Sequence, residues 1–151
     1  MLLLLLIPFS LATEVTDVPN PRKSGGWVTD MHQVISEADE AEINRISEQL
    51  HQDLTVEVAV VTIDNCSQTP KQFATELFNH WGIGDATANN GLLVLMVMEQ
   101  RRLEMETGDG LVDILTNTSL KAIQTDVMVP KFKQGEFGKG ILAGMQYVDQ
   151  E

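Results

Sequence analysis

WGIGDATANNGLLVLMVMEQRRLEMETGDGLVDILTN, residues 81–117, reads as a polar loop, an apolar run, a tight charged turn, an alternating run and a second polar loop. Residues 92–98 are seven consecutive apolar side chains, the pattern of a strand covered on both faces. Residues 102–107 alternate instead. Leu103, Met105 and Thr107 share one side and Arg102, Glu104 and Glu106 the other, as in a strand with one wet face. Glu99, Gln100 and Arg101 leave room only for a short reversal, so the two strands are expected to pair antiparallel. That pairing sets Asn89-Asn90-Gly91, at the start of the first strand, beside Glu106-Thr107-Gly108-Asp109-Gly110, at the end of the second. Two oxygen-rich loops then meet at one edge of a sheet, and that edge is the candidate site.

Upstream, residues 55–63 (TVEVAVVTI) are β-branched and apolar, and predict a central strand. Thr69-Pro70 marks a helix start, with Pro at the first position where its missing N–H costs nothing. Phe73, Leu77 and Trp81 recur every four residues as that helix's buried stripe. Strand, helix and strand make a βαβ unit, whose crossover is expected to be right-handed. Ser36 followed by Asp39 resembles a capping box, and Ile43, Ile46 and Leu50 predict a helix over about 37–52. Residues 118–128 predict another helix, ended near Pro130, and residues 135–147 a last one with Ile141 and Met145 inward. Helices before, between and after strands imply an α/β fold, a three-layer α/β/α sandwich around a small mixed sheet.

A chain of 151 residues suits one domain with a full core, placed here at 27–151. The 22 acids against 10 bases give a net charge of −12, which excludes nucleic acid as a natural partner because its phosphates need Lys and Arg. Residues 1–12 (MLLLLLIPFSLA) combine a short apolar run with a small-x-small ending at Ser10 and Ala12, the pattern of a cleaved export signal without its basic start. Residues 13–26 carry two prolines and a Gly pair without apolar periodicity, and read as a linker. The lone Cys66 has no partner for an internal disulfide.

Several motifs fail on context. Gly82-x-Gly84 follows a helix and precedes a strand, the reverse of the dinucleotide order, so no small-molecule cofactor is expected. An EF-hand reading of 85–91 puts the Gly one place late and the bidentate Glu at Met96. His32, His51 and His80 lack zinc-ligand spacing. What remains is a set of hard oxygen donors: Asp85, Asn89, Asn90, Glu106, Asp109, Asp113 and Asn117. Calcium takes about six to eight such oxygens. The same Asn-Gly and Asp-Gly pairs also serve as plain turns, so both readings stand. On the metal reading Asn89, Asn90, Glu106 and Asp109 line one divalent-cation edge, calcium being the expected ion. Asp30 and Asn117 join from flanking segments. The crowded carboxylates are what the ion would relieve.

The order and spacing of short motifs over nearly all of 27–147 resemble the TPM domain family, named for thylakoid-lumen, photosystem II and levamisole-receptor-modulator proteins. The first are Val28-Thr29-Asp30 ahead of Ser36, Thr55 with the strand VEVAVVTI, and Phe78-x-x-Trp81-Gly82-Ile83-Gly84. Asn89-Asn90-Gly91-Leu92-Leu93, Arg101 and Glu106-Thr107-Gly108-Asp109-Gly110-Leu111 follow. Pro130-x-Phe132 and Gly135-x-Phe137-x-x-Gly140-Ile141 complete the series. The resemblance implies an α/β/α sandwich exported from the cytoplasm, whether secreted, periplasmic or in an organelle lumen, and often tethered by a membrane helix after the domain. It also implies a divalent cation at an acidic cluster and an accessory role beside a membrane-protein partner. Some members are described as weak acid phosphatases, plant members take part in photosystem II repair, and nematode relatives modulate an acetylcholine receptor. The sequence departs from the family where Val112-Asp113 stand in place of Glu-Gly and Asn117 in place of Asp. Two of the family's carboxylates are thus replaced and one, Asp113, is added, so the resemblance implies catalysis less than it implies metal binding. The candidate loops also hold no Lys, Arg or His to receive phosphate, and Arg101 and Arg102 lie at the other end of the hairpin. The expectation is an accessory cation-binding module, with a metal-assisted acid phosphatase as the alternative and no catalytic residue assigned.

Overall fold

The computed structural model describes residues 11–151, so the leader-like stretch lies outside the described residues except for Leu11 and Ala12. Four strands form one sheet in chain order: β1 (Val28–Asp30), β2 (Glu57–Ile63), β3 (Gly91–Val97) and β4 (Arg102–Thr107). The first three are parallel. β4 runs antiparallel to β3, with Leu92 opposite Thr107 and Val97 opposite Arg102. The hairpin therefore has the register its apolar and alternating runs predict.

The helices start where their caps place them. Ser36 accepts a hydrogen bond from the Asp39 N–H at 3.1 Å and opens α1 (Glu37–Leu54). Thr69 and Gln72 form a capping box that opens α2 (Pro70–Trp81). After β4 come α3 (Asn117–Ala122), a π-helical segment (Ile123–Met128), α4 (Val129–Phe132) and α5 (Phe137–Val148). Strand alternation divides the core in two. Val58, Val60, Leu92 and Val94 pack with Ile43, Ile46 and Leu50 of α1 and with Ile141 and Met145 of α5. Ala59, Val61, Ile63, Leu93, Leu95 and Val97 pack with Phe73, Leu77 and Phe78 of α2. The sheet is thus covered on both faces, an α/β fold in three layers. Trp81, at the end of the α2 stripe, is only half-buried at the rim of that second cluster.

Three features depart from the sequence expectation. β1 is three residues long and too short to show a period, so it passes unseen in the sequence. Its presence matters, because α1 and α2 cover opposite faces while the chain steps the same way along the sheet. The two crossovers consequently have opposite hands, although nearly all such connections are right-handed. Pro130 does not end its helix. The wider π turns before it accommodate a ring that would clash with a carbonyl in a regular α-helix, and helical structure resumes through Phe132. The stretch read as a linker lies against the domain: Val18, just after one 3-10 turn, and Pro21, the first residue of a second, are buried, and Thr13 bridges to Cys66.

This arrangement gives the sheet two unlike edges. The amino edge gathers the starts of β2 and β3 and the end of β4; the carboxyl edge gathers the ends of β1, β2 and β3 and the start of β4.

Candidate functional site

At the amino edge the two oxygen-rich loops meet backbone to backbone. The Gly108 N–H donates to the Gly91 carbonyl and the Gly110 N–H to the Asn89 carbonyl, both at 2.9 Å. A methyl group on Gly108 would lie 2.2 Å from the Asn89 carbonyl oxygen, and one on Gly110 2.0 Å from that of Ala88. Only glycine permits such an approach. Asn89 takes a left-handed turn at φ 48°, which asparagine tolerates, and its N–H donates to the Asp85 carbonyl at 2.7 Å. The juxtaposition expected from antiparallel pairing is therefore present.

The individual donors divide into those that hold the edge together and those left exposed on it. Asn90 is 7% exposed and fully employed. Its Oδ1 accepts from the Asp85 N–H at 3.0 Å, and its Nδ2 donates to the carbonyl and hydroxyl oxygens of Thr55. Glu57, which the sequence did not single out, accepts from the Gly84 N–H at 2.7 Å. Glu106 lies on the α2 side of β4 and forms an ion pair with Lys71, from the first turn of α2. Lys71 is 35 residues away in sequence, and neither residue carries a local signal of that contact. Asp85 does both: its Oδ1 accepts from the N–H groups of Thr87 and Ala88, each at 2.8 Å, closing its own loop, while the residue stays exposed. Asn89, Asp109, Asp113 and Asn117 are exposed, Asn117 as the first residue of α3.

Asp30 is elsewhere. It pairs with Thr62, whereas Gly91 pairs with Glu57, five residues back along β2 or about 17 Å at the rise of a strand. At the carboxyl edge its Oδ1 accepts from the Thr62 hydroxyl and the Val34 N–H, and its Oδ2 from the Ile35 N–H at 2.9 Å. It is the clasp of the loop before α1.

The six residues put forward as cation ligands thus do not converge as a set. Among the described residues no three His, Cys, Asp or Glu side chains are grouped so as to hold a metal ion. The exposed carboxylate and amide side chains on the two joined loops are Asp85, Asn89 and Asp109.

Of the groups with shifted proton affinity, Asp85 and Cys66 bear on what the site can do. The Asp85 carboxyl is held below its ordinary range by the N–H bonds from Ala88 and Thr87. Since the folded value is lower than the unfolded one, this group stabilises the loop above the ordinary Asp range, and the contribution is lost as pH falls through the folded value. A carboxyl-carbon NMR titration should accordingly find the Asp85 midpoint below that of an unperturbed Asp. A midpoint at or above the ordinary value would mean the loop is open in solution. Burial pushes the Cys66 thiol up, and the thiol donates to the Gln68 carbonyl at 3.3 Å. It is protonated at neutral pH and packed into the second core cluster, so it is no nucleophile.

Among the described residues no helix is long and apolar enough to cross a membrane. Comparison with known proteins identifies the fold. The N-terminal domain of a protein from P. gingivalis, solved by solution NMR, is 34% identical with a TM-score of 0.84, over 93% of this chain and 92% of that one. The BA42 protein of the psychrophilic bacterium Bizionia argentinensis shares the fold at 16% identity and a TM-score of 0.68, over 80% of this chain and 82% of that one. The N-terminal domain of the cg2496 protein of Corynebacterium glutamicum does so at 18% and 0.67, over 83% and 79%. No curated protein matches the sequence. The model of the TPM domain matches residues 28–151, from the first strand to the last residue, and the chain belongs to the TPM domain family.

Proposed function

We infer that this TPM domain is an accessory binding module that works outside the cytoplasm beside a membrane-protein partner and takes up a divalent cation, calcium by its chemistry, at the amino edge. The observation that carries this reading is the joined pair of loops, held by glycine-only contacts and exposing Asp85, Asn89 and Asp109. Asn117 and Asp113 stand on the segment that continues from Asp109, where Val112 is 46% and Ile114 55% exposed. Exposed branched aliphatics beside carboxylates make a surface for a partner with apolar and basic groups, with the cation setting the charge it meets. The export-like pattern of residues 1–12 supports the location.

The alternative, a metal-assisted acid phosphatase, needs a group to receive phosphate and an activated nucleophile. Lys71, which reaches β4 beside these loops, is already engaged by Glu106, and the buried thiol of Cys66 is unsuited to attack. Binding is the better-supported reading.

Calorimetry with calcium, followed by a phosphatase assay on the same sample, tests it. Calcium at about a hundred times its dissociation constant should stabilise the domain by about 2.7 kcal/mol through mass action on the folded state. Asp109→Asn should weaken that response and Asp149→Asn, in the last residues after α5, should not. A melting curve indifferent to calcium would refute the cation reading, and calcium-dependent hydrolysis would move the domain to the enzyme class.

A further inference from the structure

The carboxyl edge carries a second feature, independent of the loops at the amino edge. A cleft of about 860 Å³ opens between the β3–β4 turn and the helical segment that begins with the π turns. That volume is within the range of small-ligand sites. Met96, Met98 and Leu103 line it from the hairpin and Val129, Phe132 and Phe137 from the helical side. The two phenyl rings stack with centroids 5.6 Å apart. Charge on the rim is reversed relative to the whole protein. Arg101, Arg102 and Lys133 stand against one carboxylate, Glu99, in a chain of net charge −12. Arg102 is paired with Glu104 at 2.8 Å, and Glu99 accepts from the Asn65 amide at 2.8 Å. Among the described residues Arg101 and Lys133 have no carboxylate within 4.0 Å.

Two further observations point to the same place. Arg101 sits at φ 49°, a left-handed conformation that costs a side-chain-bearing residue about 1 kcal/mol and falls where hairpin turns usually place glycine. Strain of this kind clusters at binding and active sites. The cleft also lies at the carboxyl ends of parallel strands, beside Met98 after β3 and His32 after β1, the end at which open α/β sheets bind ligands.

We propose that this cleft binds an organic anion, its anionic head held between Arg101 and Lys133 and its apolar body laid on Met98 and Phe132. A guanidinium grips a phosphate or carboxylate through paired N–H groups, while the apolar floor favours a ligand with a carbon skeleton over a bare hydrated ion.

Phenyl phosphate is the probe, titrated into the labelled full chain and followed by backbone amide resonances. Inorganic phosphate serves as the head alone and benzyl alcohol as the body alone. Saturable shifts confined to 96–103, 124–137 and the neighbourhood of His32 are expected, with phenyl phosphate at least about tenfold tighter than either half. Arg101→Gly removes the guanidinium and relieves the left-handed strain together. It should weaken phenyl phosphate about tenfold while the melting temperature holds or rises, a combination that a merely structural Arg101 would not give. Lys133→Gln should also weaken binding, and Lys139→Gln, which is paired with Glu136 outside the cleft, should not. Sedimentation with phosphatidic acid vesicles separates the sources: Arg101-dependent sedimentation identifies a lipid headgroup, and none identifies a soluble ligand. Scattered or unsaturable shifts, or wild-type affinity in Arg101→Gly, would overturn the proposal.

Discussion

Substituting Gly110 with alanine should destabilise the domain by about 3 kcal/mol, a cost out of proportion to one methyl group. The added carbon would lie 2.0 Å from the Ala88 carbonyl oxygen and 3.0 Å from that of Asn89. Both obstacles are backbone, so no rotamer change relieves them. The Gly110 N–H also donates to the Asn89 carbonyl, so pushing the loops apart breaks a hydrogen bond as well. Gly25→Ala makes the control. It has open space around it and φ 83°, so only dihedral strain of about 1 kcal/mol is expected there. Urea melts of both variants measure the difference. Equal losses would mean that the two loops separate readily in solution.

Asp30→Ala should cost about 3 kcal/mol and leave the calcium response untouched. The carboxylate accepts from two backbone N–H groups, of Val34 and Ile35, and from the Thr62 hydroxyl. Thr62 is fully buried, so its hydroxyl is left without this acceptor when the carboxylate goes. Asp30→Asn keeps an oxygen for the N–H groups and should recover part of the loss. A large loss of stability with an unchanged calcium shift identifies a structural clasp. A reduced calcium shift with little loss of stability would restore Asp30 to the ligand set proposed from sequence.

The parts of this molecule that were legible in the sequence are those set by local periodicity. The seven apolar residues of 92–98, the alternation of 102–107 and the caps at Ser36 and Thr69 each specify an element, and each element is present. The meeting of loops 85–91 and 106–110 was legible too, because a short antiparallel turn leaves no other geometry. What sequence could not supply was the use of each side chain after the loops meet. Asn90 looks like a free oxygen donor, yet it is spent on Thr55 and Asp85. Glu106 looks like an unrelieved charge, yet Lys71 answers it from another element. Asp30 stands just before a helix cap, and only the parallel register of β1 on β2 shows that it lies at the opposite edge. Such facts depend on contacts far apart in the chain and leave no periodic trace. The basic cleft was hidden for the same reason, since Arg101, Lys133 and Phe137 come from separate elements.

The cation reading rests on Asp85, Asn89 and Asp109 acting together at the amino edge. Backbone amide resonances of the labelled protein, followed through a calcium titration, test that most directly. The account predicts saturable shifts concentrated in residues 84–90 and 107–113, with the carboxyl edge around Asp30 unmoved and the response diminished in Asp109→Asn. Resonances at the amino edge that stay in place at saturating calcium would contradict it, and the Asn-Gly and Asp-Gly segments would then be turns and nothing more.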